Sequence, residues 1–76
     1  MPKYKPAKIN TRLAKKVSIV SCPWDPVANK AIDFVKKSDS FSIDESTIVY
    51  DWHGHQYYAA KKGNRLGYIR LDAIEH

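Results

Sequence analysis

Apolar and polar positions alternate with a period of two through most of the chain, and the breaks fall at prolines, glycines or charged turns. Val17-Ser18-Ile19-Val20-Ser21 puts Val17 and Ile19 on one face and predicts a first strand. Phe41-Ser42-Ile43 alternates in the same way. Asp44 to Thr47 reads as a polar break, after which Thr47 to Trp52 is rich in β-branched and aromatic residues. His53-Gly54 predicts a turn and His55 to Ala60 its partner strand. Farther on, Gly63-Asn64 is suited to a tight hairpin turn, with Leu66 to Leu71 as the returning strand. Gly67 within that strand predicts a bulge or a close backbone approach. Asp72 is placed to cap a last helical turn that tucks Ile74 into the core. The expected core is Ile19, Val35, Phe41, Ile43, Ile69, Leu71 and Ile74.

One stretch supports two readings. Residues 26–37 carry helix signals: Asp25 at the cap, Pro26 at the first helical position, and Lys36-Lys37 at the negative end of the dipole. Val27, Ala31, Phe34 and Val35 then share a face, which makes an α+β alternative with this helix packed on an antiparallel sheet. Read as extended chain, Ile32 and Phe34 alternate inward and lead through Lys36-Lys37-Ser38-Asp39 to Phe41 and Ile43. Local chemistry favours the helix and the global pattern favours the strand. Cys22-Pro23-Trp24-Asp25-Pro26 is irregular on either reading.

Length limits what this core can be. Seventy-six residues make one small domain, which buries only about 60% of its unfolded surface. A lone cysteine, Cys22, excludes an internal disulfide and fits a reducing compartment, so a cytoplasmic setting is favoured. No apolar run approaches the ~20 residues of a membrane span, and no apolar core follows the basic start, so no signal peptide is expected. A chain cut from a longer precursor has the same features.

The net charge of +5 is unevenly placed. Residues 1–16 hold Lys3, Lys5, Lys8, Arg12, Lys15 and Lys16 with no acid, whereas residues 17–76 hold seven basic and eight acidic side chains. The expectation is a disordered basic arm over residues 1–16 and a nearly neutral body over 17–76, with Tyr4 and Ile9 able to pin part of the arm down. Anion or nucleic-acid contact, if any, then belongs to the arm, and charge runs of this kind also serve as plain solvated tails.

Taken in order, these spacings resemble a bacterial SH3 domain over residues 17–74. Val17-Ser18-Ile19 followed by Ser21-Cys22-Pro23 matches that family's first strand and small loop. Ala31 to Val35, Lys36 to Asp39 and Ser40 to Ile43 match its next strand, lysine-rich turn and alternating strand. Tyr57-Tyr58, Gly63-Asn64, Gly67-Tyr68-Ile69 and Arg70 to Ile74 match its closing hairpin and helical plug. The sequence departs from the family in having Tyr57 in place of a usual tryptophan, Ala73 in place of a frequent groove aromatic, and a longer Asp44–Gln56 segment. The resemblance implies an SH3-like small β-barrel that recognises short peptides, often in cell walls, with Trp24, Tyr50, Trp52 and Tyr57 as the groove candidates.

The residues themselves also favour binding over catalysis. Trp24, Tyr50, Trp52, Tyr57, Tyr58 and Tyr68 crowd near loops and strand edges, where aromatics give contact area at low entropic cost. The same rings equally serve to fill a thin core. Adjacent Tyr57 and Tyr58 must face opposite sides of a strand, so one is exposed unless something covers it. His53 and His55, even with Asp51 or His76, have no metal-ligand spacing, and Cys22 lies in no nucleophile motif. No enzyme, metal or cofactor is expected. The partner expected is a protein or peptide; nucleic-acid association through the arm and exposed aromatics, and a structural place in a phage or envelope assembly, stand as alternatives.

Overall fold

The structure, a computed structural model, describes residues 3–12 and 15–75; Met1, Pro2, Leu13, Ala14 and His76 lie outside the described residues. The strands are β1 (Lys5–Ala7), β2 (Lys16–Val20), β3 (Ala31–Lys36), β4 (Phe41–Tyr50), β5 (Gln56–Lys62) and β6 (Arg65–Arg70), and a 3₁₀ turn covers Leu71–Ala73. They form one antiparallel sheet in the order β1-β4-β5-β6-β2-β3. The protein is mainly β, and its sheet curls into a half-barrel, a small β-barrel-like fold.

Turn chemistry sets the register of the central hairpins. Lys62 pairs with Arg65 around Gly63-Asn64, and Gly63 has φ 61° while Asn64 keeps a negative φ. A positive φ at the first central position alone is the mark of a type II′ turn, whose twist suits a two-residue hairpin. The polar break expected at Asp44–Thr47 is instead a bulge inside the single long strand β4. Asp44 faces Ala59 and Ile48 faces Tyr58, so Glu45, Ser46 and Thr47 loop out. Asp44 is buried there; it accepts from the Ser46 hydroxyl at 2.5 Å and amide at 3.0 Å, and from the Thr47 hydroxyl at 2.9 Å. The Ser46 hydroxyl contributes most to holding the Asp44 carboxyl below its ordinary pKa, against the opposing effect of burial.

Residues 26–37 do not form a helix. The cap signals yield a single turn: Asp25 accepts from the amides of Val27 at 2.9 Å and Ala28 at 3.2 Å, and Asn29 N–H donates to Asp25 O at 2.9 Å. The Asn29 carboxamide and Ser21 hydroxyl then tie the loop shut on Cys22 and Lys30. From Ala31 the chain is extended, because Val35 is needed opposite Val17 in the β2 ladder, where it is fully buried. Val27, which a helix would have buried, is 93% exposed.

The basic arm also needs correction over Lys5–Asn10. β1 pairs with the start of β4, Lys5 opposite Ile43 and Ala7 opposite Phe41. Ile9 is 3% exposed and bridges Ile74; Asn10 N–H donates to Ala73 O at 2.7 Å, and Glu75 N–H donates to Lys8 O at 2.8 Å. The two ends of the chain thus close over the mouth of the half-barrel. Beneath them lie Ile19, Val35, Phe41, Ile43, Tyr58, Ala60 and Ile69, with Leu71 partly buried at the margin. Ile74 plugs the core as expected, but Asp72 is not the cap. The turn begins at Arg70 without a side-chain cap, and Asp72 is exposed and ion-paired to Arg70.

Gly67 makes the curl possible. A Cβ at this position would lie 2.6 Å from Ile19 Cγ2, 2.8 Å from Val20 O and 2.9 Å from Ile32 Cδ1. β2 and β3 therefore press directly onto β6 here. A second device holds β3 without a ladder: Lys62 Nζ donates to Phe34 O at 2.6 Å and Asp33 Oδ1 at 3.3 Å, and Arg65 Nη1 donates to Ile32 O at 2.8 Å. These cations occupy edge carbonyls that would otherwise invite another strand. Asp33 has its pKa lowered, first by the Phe34 N–H it accepts, against burial, and then by Lys62 and Arg65.

Two substitutions test this frame by urea denaturation. Ile9→Ala is expected to cost about 2–5 kcal/mol, as for a buried isoleucine elsewhere, whereas a free arm gives no change. Gly67→Ala is expected to cost about 1–3 kcal/mol through overpacking against backbone.

Candidate binding surface

Strand alternation divides the aromatics between two faces. Tyr58 points into the core with Ala60 and Ile69, and Tyr57 points outward with Ala59, opposite Arg70 and Tyr68 of β6. Both tyrosines are buried, so the outer one is covered as well. On this outer face β2 meets β6 at the single pair Val20–Tyr68 and then diverges. The divergence opens a cleft of about 490 Å³ lined by Lys16, Val17, Ser18, Val20, Tyr57, Arg70, Asp72 and Ala73.

Tyr57 is the cleft's fixed aromatic wall. Its hydroxyl donates to Asp51 Oδ2 at 3.2 Å. Burial first, and then the Asp51 carboxylate, push the phenol above its ordinary pKa, so it remains a donor. Asp51 organises the β4–β5 turn around itself: it also accepts from the amides of His53 at 2.8 Å and His55 at 2.9 Å, and contacts His55 Nδ1 at 3.0 Å. Gly54 N–H donates to Asp51 O, and Gly54 takes φ 87°, a backbone state that an L side chain resists. Burial alone would raise the Asp51 pKa; the donors, His55 foremost, outweigh it and lower it to about 2.

The four groove candidates are not brought into one groove. Tyr57 lines the cleft. Trp24 is 49% exposed and meets the Tyr68 ring edge-on at 5.3 Å, beside the Val20 end of the cleft. Tyr50 and Trp52 lie elsewhere, at the β4–β5 tip, both about half exposed; Gln56 donates to the Tyr50 hydroxyl and the Trp52 ring lies 5.2 Å from His53. Lys3, Lys5, Lys8, Arg12, Lys15 and Lys16 are all exposed, but Lys5 belongs to β1 and pairs with Glu45, and Lys16 belongs to β2 with its ammonium 4.5 Å from the Phe34 ring centroid. Among the described residues no three His, Cys, Asp or Glu gather as metal ligands, and His76 lies outside them. Cys22 is half-buried and free. Among the described residues no helix is long and apolar enough to cross a membrane.

The cleft residues Val17, Ser18, Val20 and Arg70 were not marked as functional by the sequence. Their only signal was Gly67, whose predicted close approach fixes where β2 leaves β6. Comparison of the chain with family models, curated proteins and solved structures found no match in any of the three.

Asp51 gives a pH prediction. Because its carboxyl titrates lower in the folded chain than unfolded, it stabilises the fold above about pH 4, and this contribution fades as pH falls toward about 2. Asp51→Asn is therefore expected to have a lower urea midpoint than the parent at pH 7, with the difference narrowing below about pH 4 and closing as pH falls through about 2. A constant difference across that range would mean that Asp51 acts by packing instead of charge.

Proposed function

We propose that this protein is a non-catalytic binding module that takes a short extended peptide segment of a protein partner in the cleft between β2 and β6. The observation that carries the reading is the cleft itself: about 490 Å³, with Val17, Val20, Tyr57 and Ala73 as apolar lining and Lys16, Ser18 and Arg70 as convergent polar groups. That size and mixture suit a ligand side chain whose neighbours stay at the rim. The walls are built to hold their form, since Asp51 fixes Tyr57 and the Gly67 approach fixes β2 against β6. Trp24 adds an exposed ring at one end, in keeping with a peptide running past the cleft. The bacterial SH3 resemblance points the same way, to short peptides. Tyr50 and Trp52 belong to a separate tip and are not assigned to this groove.

The nucleic-acid alternative rests on exposed aromatics that stack on bases together with a free arm reaching along phosphates; Trp24, Tyr50 and Trp52 are exposed. Lys5–Asn10 is committed to β1 and to the closure of the core, which takes support from the arm's part of that reading.

A display selection from a random short-peptide library tests the proposal. Enriched peptides are expected to shift the amide resonances of Val17–Val20 and Tyr68–Arg70 and the Trp24 indole. Ser18→Trp, which fills the cleft from its wall, is expected to abolish their binding while the fold persists by circular dichroism. Failure to enrich any peptide, or shifts confined to the Tyr50–His55 tip, would sink the assignment.

A further inference from the structure

The β2–β3 ladder contains an arrangement that stability does not explain. Lys16 and Lys36 stand directly opposite each other, both exposed, with Lys15 and Lys37 next to them in the chain. Like charges directly opposite in an antiparallel pair are destabilising. Among the described residues none of the four has a carboxylate within ion-pair distance; Asp33 is paired with Lys62 and Arg65, Asp39 with Lys62, Glu45 with Lys5, and Asp72 with Arg70. Asp39 accepts the Lys36 amide at 2.8 Å, and its pKa is lowered first by that bond and in part by the Lys36 charge, yet its ion pair is with Lys62 at 3.5 Å. Lys37 lies apart, around a hollow it shares with Lys8 and Glu75. Lys16 and Lys36 thus form a like-charged cross-strand pair with no ion-pair partner among the described residues, and Lys16 is also part of the cleft wall.

We infer that the segment taken by the cleft is acidic. Its apolar side chain enters between Val20 and Tyr57, and its Asp or Glu residues lie over Lys16 and Lys36. The inference rests on the cleft being a peptide site, and charge complementarity names the peptide's class. Phe34 stands opposite Ser18, one step from the Lys16–Lys36 pair, and holds the Lys16 ammonium over its ring. This ring contact keeps the charge beside the cleft instead of letting it swing free. Within the cleft the aromatic wall is Tyr57, only 9% exposed, which leaves a base little ring face to stack on there.

Fluorescence polarisation on the full chain tests this, with a labelled peptide of alternating glutamate and phenylalanine, its glutamine counterpart, and a labelled oligothymidylate. The glutamate peptide is expected to bind about tenfold more tightly than the glutamine one, several weak exposed pairs together giving that factor. Lys36→Glu is expected to erase the preference while leaving the urea midpoint unchanged or higher, because it turns a like-charged cross-strand pair into an opposite one. A midpoint that drops along with binding would mark the lysine as structural and overturn the inference. Equal affinity for the two peptides overturns it too, but leaves the cleft reading standing. Tighter binding of oligothymidylate, or no binding of any probe, also overturns it; the display selection judges the cleft independently.

Discussion

Everything in this molecule depends on bending one sheet far enough to enclose its own inner face. Ladder hydrogen bonds do not accomplish this, since β2 and β6 share a single pair. The bend is held by the absent side chain of Gly67, which lets Ile19 and Ile32 reach the β6 backbone, and by Lys62 and Arg65, which bind carbonyls on β3. A ladder would have fixed the strands along their whole length. A point approach and two side-chain clamps fix them at one end and leave the other apart, and that parted end is the cleft.

The half-barrel then has an open mouth, and something must cover it for the core to stay dry. Its two termini do so together, Ile9 bridging Ile74. In so thin a core each buried isoleucine is a large fraction of the net stability. A basic segment that looks solvated by charge count is thereby drawn into the fold by one apolar residue. Its lysines stay in water while Ile9 is buried, the usual solution where apolar and charged side chains alternate.

Charge is handled differently on different parts of the surface. Asp33, Asp39, Asp44 and Asp51 are each held by several donors, and all four titrate below their ordinary value. They fix a bend, a bulge and a turn. Lys16 and Lys36, opposite each other in the β2–β3 ladder, have no carboxylate within ion-pair distance among the described residues, and Lys16 forms part of a wall of the cleft.

The local features were legible in the sequence because their causes are local. Alternation of period two marked β2, both halves of β4, β5 and β6, though not β1; Gly63 and Gly54 marked the two hairpin turns and Gly67 the close approach, and six of the seven expected core residues are buried, with Leu71 partly so. Even the helix signals at Asp25-Pro26 were real, and they produced one turn. What the tertiary structure decided was how far each signal ran and what it met. Val35 was drawn into a ladder with Val17, Ile9 was drawn to Ile74, and alternation parted Tyr57 from the Tyr50–Trp52 tip. Those outcomes depend on which surface is still bare once the sheet has curled, a quantity that no window of neighbouring residues contains.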